Sequence, residues 1–201
     1  MNQILSNIWM WSEYQSDRSF CFNGFALKCE ETVYIIDPVG ISPEGMLTLR
    51  ELGDRFEIIL LNADHEREAE AFVDALSAKL WAPKTDVALL KTQKRVFTYG
   101  HEHRFGDDWE AKHLLGMKTP GESVLYSARQ GVLLVGDAIL ADPASGLRLV
   151  PKQKLKDTAR ALKALERLVS LDFKSLLCGD GFQLLKGGRE ALSVFIASNQ
   201  P

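Results

Sequence analysis

Cysteine is scarce in this chain of 201 residues: Cys21, Cys29 and Cys178 are widely spaced and odd in number, and no CxxC or zinc-knuckle pair occurs. That usage excludes a disulfide framework and reads as reduced thiols. No stretch approaches the roughly 20 apolar residues of a membrane span. Residues 1–6 (MNQILS) carry no basic region ahead of an apolar run, so no signal peptide is expected and the chain reads as cytoplasmic. Basic excess is also missing. With Lys+Arg at 24 against Asp+Glu at 27, the net charge is −3, which speaks against a general nucleic-acid or membrane surface. There is no repeat, low-complexity tract or Pro/Ser-rich linker, so residues 1–201 read as a single domain. Without a GxGxxG, Walker loop or nucleophile elbow, nucleotide-fold and serine-nucleophile chemistry lack support.

What is present is an ordinary globular balance, 46% hydrophobic and 25% charged, at a length that buries about 70% of the unfolded surface. Strand signals open at residues 19–28 (SFCFNGFALK) and 32–37 (TVYIID), joined by a turn at Cys29-Glu30-Glu31. Residues 42–52 predict a helix with Ser42 as N-cap and Pro43 at its first position. The run 56–61 (FEIILL) is typical of a buried central strand. Residues 66–78 place Ala69, Phe72, Val73 and Leu76 on one helical face. A short strand is expected over 79–82 and a weaker helix over 85–93. Further strands are expected over 95–103, 110–115, 123–127 and 132–135, the last two joined by a turn at Ala128-Arg129-Gln130-Gly131. The longest helix is predicted over 154–171, on the stripe Leu155, Thr158, Leu162, Leu165 and Val169. A strand over 175–178 and a helix over 188–198 close the chain. Two successive groups of strands and helices predict two sheets with helices outside.

Chemistry-bearing residues in layered α/β folds gather beyond the C-terminal ends of strands. Four strand ends here carry them: Asp37 in IIDPVG, Asp64 and His65 in LLNADH, Asp137 in LLVGDAIL and Asp180 in LLCGDGF. Gly136, Gly179 and Gly181 allow close backbone approach nearby.

These segments resemble the metallo-β-lactamase superfamily, in the right order and over nearly the whole chain. IIDPVG is similar to the family's early Asp-Pro-Gly strand end. LLNADH falls where the family carries HxHxDH, MKTPGES where it carries GHTPGS, and LLCGDGF where Gly-His-Gly is usual. The resemblance implies an α/β fold, specifically an αββα sandwich.

It also implies a depleted site. The first metal position of the family corresponds to Leu60, Asn62, Lys118 and Asp137. Leucine cannot ligate, and an ammonium repels a divalent ion. The second position corresponds to Asp64, His65, Asp137 and Asp180, one exchange from the family set. Three carboxylates and an imidazole can hold one divalent metal, and the extra oxygen shifts preference from Zn toward Mn, Fe or Mg. Lys118 is expected to pair with Asp137 as a monovalent stand-in for the lost ion, and Asp37 to support the ligands. Beside this stands a plain reading: Asp64 caps the helix from residue 66 with His65 in solvent, Asp137 and Asp180 are turn residues, and Lys118 is an exposed loop lysine.

The function implied is a metal-dependent hydrolase using one divalent metal (Mn, Fe or Zn), with Lys118 and Asp64 as catalytic groups acting on a small-molecule substrate; the basic patch Arg148, Lys152, Lys154 and Lys156 reads either as a solvated helix start or as the neighbourhood of an anionic substrate. The alternative is a non-catalytic ligand-binding pseudoenzyme of the same fold, with no metal. A third, an iron redox module like the flavodiiron branch, would want Glu or His at Asn62. His101-Glu102-His103 reads as a solvated loop, and His113 as a strand residue outside any metal set. Trp9, Trp11, Trp81 and Trp109 fill the core or line a groove, and Cys178 reads as a buried thiol.

Overall fold

The computed structural model describes residues 1–199. These form two compact units, Met1–Tyr99 and Gly100 onward.

In the first unit a seven-stranded sheet runs in sequence order: β1 (Asn2–Leu5), β2 (Ile8–Gln15), β3 (Phe20–Cys29), β4 (Thr32–Ile36), β5 (Arg55–Ile59), β6 (Lys79–Pro83) and β7 (Val96–Tyr99). β1 to β4 are antiparallel neighbours, and β4 to β7 pair parallel. The hairpin turn at Glu30-Glu31 is as expected, with Glu30 at a left-handed φ of 52°. Helix α1 (Pro43–Arg50) begins as the sequence predicts, the Ser42 side chain accepting from the Gly45 N–H. Leu49 and Leu52 from this region, with Ala69 and Phe72 of α2 (Ala69–Leu76), pack on Val33, Ile35, Ile58, Leu60 and Leu80 of the sheet.

Two expectations fail in this unit. Residues 85–93 do not form a helix but a single 3-10 turn, Val87–Leu89, because side chains of the preceding helix region claim the backbone. Glu66 accepts from the Lys91 N–H, and Glu70 accepts from the Thr92 hydroxyl and the Gln93 N–H. These bonds hold the Glu70 carboxyl below its ordinary range, the Thr92 hydroxyl most and the Gln93 amide next. The sheet also starts before residue 19: the hairpin β1–β2 was not anticipated, its alternation being obscured by Trp9, Met10 and Trp11 in succession.

The second unit has a five-stranded sheet of β8 (Arg104–Phe105), β9 (Trp109–His113), β10 (Ser123–Ser127), β11 (Val132–Val135) and, parallel to β11, the strand Ser175–Cys178. A small hairpin, β12 (Leu140–Asp142) and β13 (Gly146–Arg148), lies between, so Ser175–Cys178 is β14. Helices α3 (Thr158–Leu168) and α4 (Gly188–Ala197) cover one face, where Ala161, Leu165, Leu168, Leu192 and Ile196 meet Val124, Leu133, Val135 and Leu176.

The strand expected over 95–103 ends instead at Tyr99, and residues 101–102 turn, with Glu102 at φ 62°. The long helix starts at Thr158, not residue 154. Asp157 is its N-cap, accepting from the Arg160 N–H, and Lys152–Lys154 forms a separate 3-10 turn. Its buried face is Ala161, Ala164, Leu165 and Leu168, so the true stripe is rotated from the predicted one. No helix among the described residues is long and apolar enough to cross a membrane.

Candidate metal centre

In the first unit the chain leaves β4 through Asp37, a non-glycine residue at φ 48° whose N–H donates to the Ile59 carbonyl. This strained step turns the Asp37 carboxylate inward, where it is 1% exposed. One oxygen accepts from the Leu61 N–H at 2.8 Å and the other meets His65 Nδ1 at 2.6 Å. An ionised carboxylate can only accept, so Nδ1 is the nitrogen that donates here and Nε2 is the ring atom left to face other partners. This is the way proteins fix the tautomer and aim of a metal-ligating imidazole.

The short turn Ala63–His65 is held in place by Asp86, which accepts from the Ala63 N–H at 2.8 Å, and by the Tyr99 hydroxyl, which donates to the Leu60 carbonyl. The plain reading of this turn is overturned. His65 is buried, not solvated, and Asp64 does not cap α2, which begins four residues beyond His65 without a side-chain cap. Asp64 itself is exposed on the turn.

In the second unit Asp137 follows β11 and is 6% exposed. Lys118 Nζ donates to its carboxylate at 2.7 Å, as expected from the sequence. The loop bearing Lys118 is pinned to the start of α3: the Lys156 N–H donates to Met117 and the Asp157 N–H to Gly116. Gly116 sits at φ 84°, and a Cβ there would lie 2.5 Å from the Asp157 carbonyl, so only glycine allows this approach. Glu122, fully buried, accepts from the Ala138 N–H at 3.0 Å and fixes the backbone just after Asp137.

Asp180, 3% exposed, follows β14. Its carbonyl accepts from the Ala141 N–H, and Gly181 at φ 98° lies so close to Ala141 that an added Cβ would be 1.7 Å from its carbonyl oxygen. Gln183 brackets the strand end, accepting from the Cys178 N–H and donating to the Cys178 carbonyl. Asp137 and Asp180 thereby offer carboxylate oxygens within 4.8 Å of one another. Two buried carboxylates this close repel unless a cation is shared. Burial, with Asp180 adding to it, pushes the Cys178 thiol far above its usual range, which matches a buried, inert thiol.

The other marked residues lie elsewhere. His101 and Glu102 are exposed in a turn, and His103 packs edge-on to Phe105. His113 donates its backbone N–H to His101 Nδ1. Arg148 pairs with Asp142 at 3.1 Å, while Lys152 and Lys154 are exposed. Trp11 and Trp109 are core residues. Trp81 donates to Glu57. Asp86, Glu122 and Gln183 went unnoticed in the sequence. A carboxylate just after a strand-ending proline, and one between Gly121 and Ser123, were the available signals.

The model of the metallo-beta-lactamase superfamily matches residues 3–199. Among solved structures, the chain is similar to a metallo-beta-lactamase from Pontibacter korlensis, at 17% identity and a TM-score of 0.76, with 99% of this chain and 98% of that one covered. It is similar to the DIM-1 metallo-beta-lactamase, in a structure exposed to ceftazidime, at 15% identity and a TM-score of 0.75, with 99% and 96% covered. It also resembles rubredoxin:oxygen oxidoreductase from Desulfovibrio gigas, at 13% identity and a TM-score of 0.75, with all of this chain and 62% of that one covered. At these identities the likeness is one of fold. No curated protein matches the sequence.

Proposed function

Since the chain belongs to the metallo-β-lactamase superfamily, we propose that it is a metal-dependent hydrolase working with a single divalent ion, its first metal position replaced by Lys118. The observation that carries this reading is the Lys118–Asp137 pair at 2.7 Å. An ammonium in contact with the carboxylate that bridges two ions elsewhere in the family leaves no electrostatic room for an ion on that side. The donors at the first position, Leu60, Asn62 and Lys118, do not fit a metal. The donors at the second do.

His65, Asp137 and Asp180 are buried donors of the right type, and the Asp37 clamp on His65 is the support such a ligand needs. Asp64, on the exposed side of the same turn as His65, is the proposed further oxygen donor and proton acceptor. A divalent ion held by these residues supplies Lewis-acid polarisation and brings water acidity toward neutrality. Lys118 neutralises Asp137 and donates to the oxygen on which negative charge grows in the substrate's carbonyl or phosphoryl group. Asp37 keeps the proton on His65 Nδ1. The oxygen-rich set favours Mn, Fe or Mg over Zn.

The second reading, a ligand-binding member without catalysis, draws on the same lysine: a permanent cation balances Asp137 without any metal. Metal content by mass spectrometry, on protein purified without a His tag, separates them. About one equivalent of metal, lost in Asp180→Ala, is expected. Metal-free protein that stays empty after soaking in Mn²⁺ and Zn²⁺ would rule out the hydrolase and leave the binding protein. A small-molecule substrate follows from the family's habit, and its identity awaits a screen of the loaded protein.

A further inference from the structure

The second unit carries a groove of about 670 Å³ that the proposed chemistry does not use, on the helix-covered side of its sheet. Its floor and walls include Leu114, Leu168 and Leu171, with Leu115 at 45% exposure on the rim. Arg160, Lys163 and Arg167 stand along its edge, with Lys112 facing them from β9. The residues lining it include no carboxylate.

Sequence spacing explains the arrangement. Positions 160, 163, 164, 167 and 168 follow the three-and-four spacing of one helical face, so α3 presents its cations in a row directly above its own apolar seam, and Leu171 follows just past the end of the helix. Lys112 is partly spent, since Glu110 holds its ammonium at 2.6 Å. Among the described residues Arg160, Lys163 and Arg167 make no ion pair. Three uncompensated cations bordering leucines are unexpected in a chain whose net charge is −3. Like charges at helical neighbours cost stability, so such a row stands out from the solvated mixed-charge faces of ordinary surface helices. The volume is that of small-ligand sites.

We propose that this groove is a binding site for a small amphipathic anion, a carboxylate or phosphate head with an apolar tail. The head would be held by Arg160, Lys163 and Arg167, and the tail would lie over Leu114, Leu115, Leu168 and Leu171. The charge of the rim selects the head and the apolar floor selects the tail, so neither half alone binds well.

The test uses the full chain and three probes, decyl phosphate below its micelle concentration, inorganic phosphate and decanol, each followed by calorimetry and by methyl chemical shifts of the leucines. Saturable one-to-one binding of decyl phosphate is expected, with shifts at Leu114, Leu115, Leu168 and Leu171. The two half-probes should bind at least about tenfold more weakly, because each charged hydrogen bond or buried tail is then missing. Lys163→Glu with Arg167→Glu should weaken decyl phosphate by about tenfold or more, while Lys174→Glu, exposed outside the groove, should not. Both altered residues are exposed, and Lys163→Gln with Arg167→Gln repeats the test without added charge. Equal binding by the groove variants, or no saturable binding, would overturn the proposal. So would inorganic phosphate binding as tightly as decyl phosphate. Binding of acidic vesicles or oligonucleotides by a protein that ignores decyl phosphate would replace the small-ligand site with a macromolecular surface.

Discussion

Two buried carboxylates, one in each unit, solve the same problem in opposite ways. Asp37 is satisfied by an imidazole and a backbone amide. Asp137 is satisfied by a lysine ammonium. The first solution leaves the partner useful: the His65 ring is fixed through Nδ1, and Nε2 is not used by Asp37. The second fills the neighbourhood with a fixed charge that cannot ligate. One corner therefore presents an imidazole held in place by its carboxylate, and the other a carboxylate capped by an ammonium. Residue chemistry, not fold, separates them, since each aspartate follows a strand end.

The comparison can be broken at several points. Gly181→Ala should do the most damage. Its Cβ would collide with the Ala141 carbonyl, and φ 98° is unfavourable for alanine, so a loss of about 3 kcal/mol or more, or failure to fold, is expected in denaturant melts. A change below about 1 kcal/mol would show that the strand end carrying Asp180 is plastic. Asp37→Ala should cost about 3 kcal/mol, because it strands both the His65 ring and the buried Leu61 N–H. Asp37→Asn should recover part of it by still accepting from Leu61. If the two variants match, the His65 contact rather than the amide bond carries the energy.

Lys118→Ala should cost only about 1 kcal/mol of stability, since the pair is partly exposed. Removing its charge should tighten Mn²⁺ or Zn²⁺ binding by about tenfold, the scale of one partly screened charge nearby. Unchanged metal affinity would mean that Lys118 does not stand in for an ion. The smallest effect is on the thiols. Cys178 should resist alkylation in the folded protein while the half-buried Cys21 and Cys29 react, measured by mass spectrometry before and after unfolding.

Much of this was legible locally. Ser42-Pro43 names a helix start because the cap and the proline act within one turn. The apolar runs 32–36, 56–61, 132–135 and 175–178 name strands, because strands buried on both faces need no alternation. The four strand-end motifs marked Asp37, Asp64, His65, Asp137 and Asp180, all of them buried except Asp64. What escaped was set by distant partners. Residues 85–93 have helix-compatible composition, yet carboxylates of Glu66 and Glu70 take their backbone and hydroxyl groups. The start of α3 was misplaced because Lys152–Lys154 looks like helix until Asp157 caps it. Asp86 and Glu122 were invisible because their work is to accept a backbone N–H 23 and 16 residues away.

The sequence by itself determined the apolar strands, the helices α1 to α4 to within a few residues, the acidic strand ends and the absence of histidine at positions 60, 62, 118 and 180, because these depend on residue identity and short-range geometry. Only the tertiary structure decided that His65 is buried on Asp37, that Lys118 reaches Asp137, and that the cations of α3 border an open apolar groove. Each of those joins residues far apart in the chain, and a contact of that kind exists only once the backbone has closed the distance.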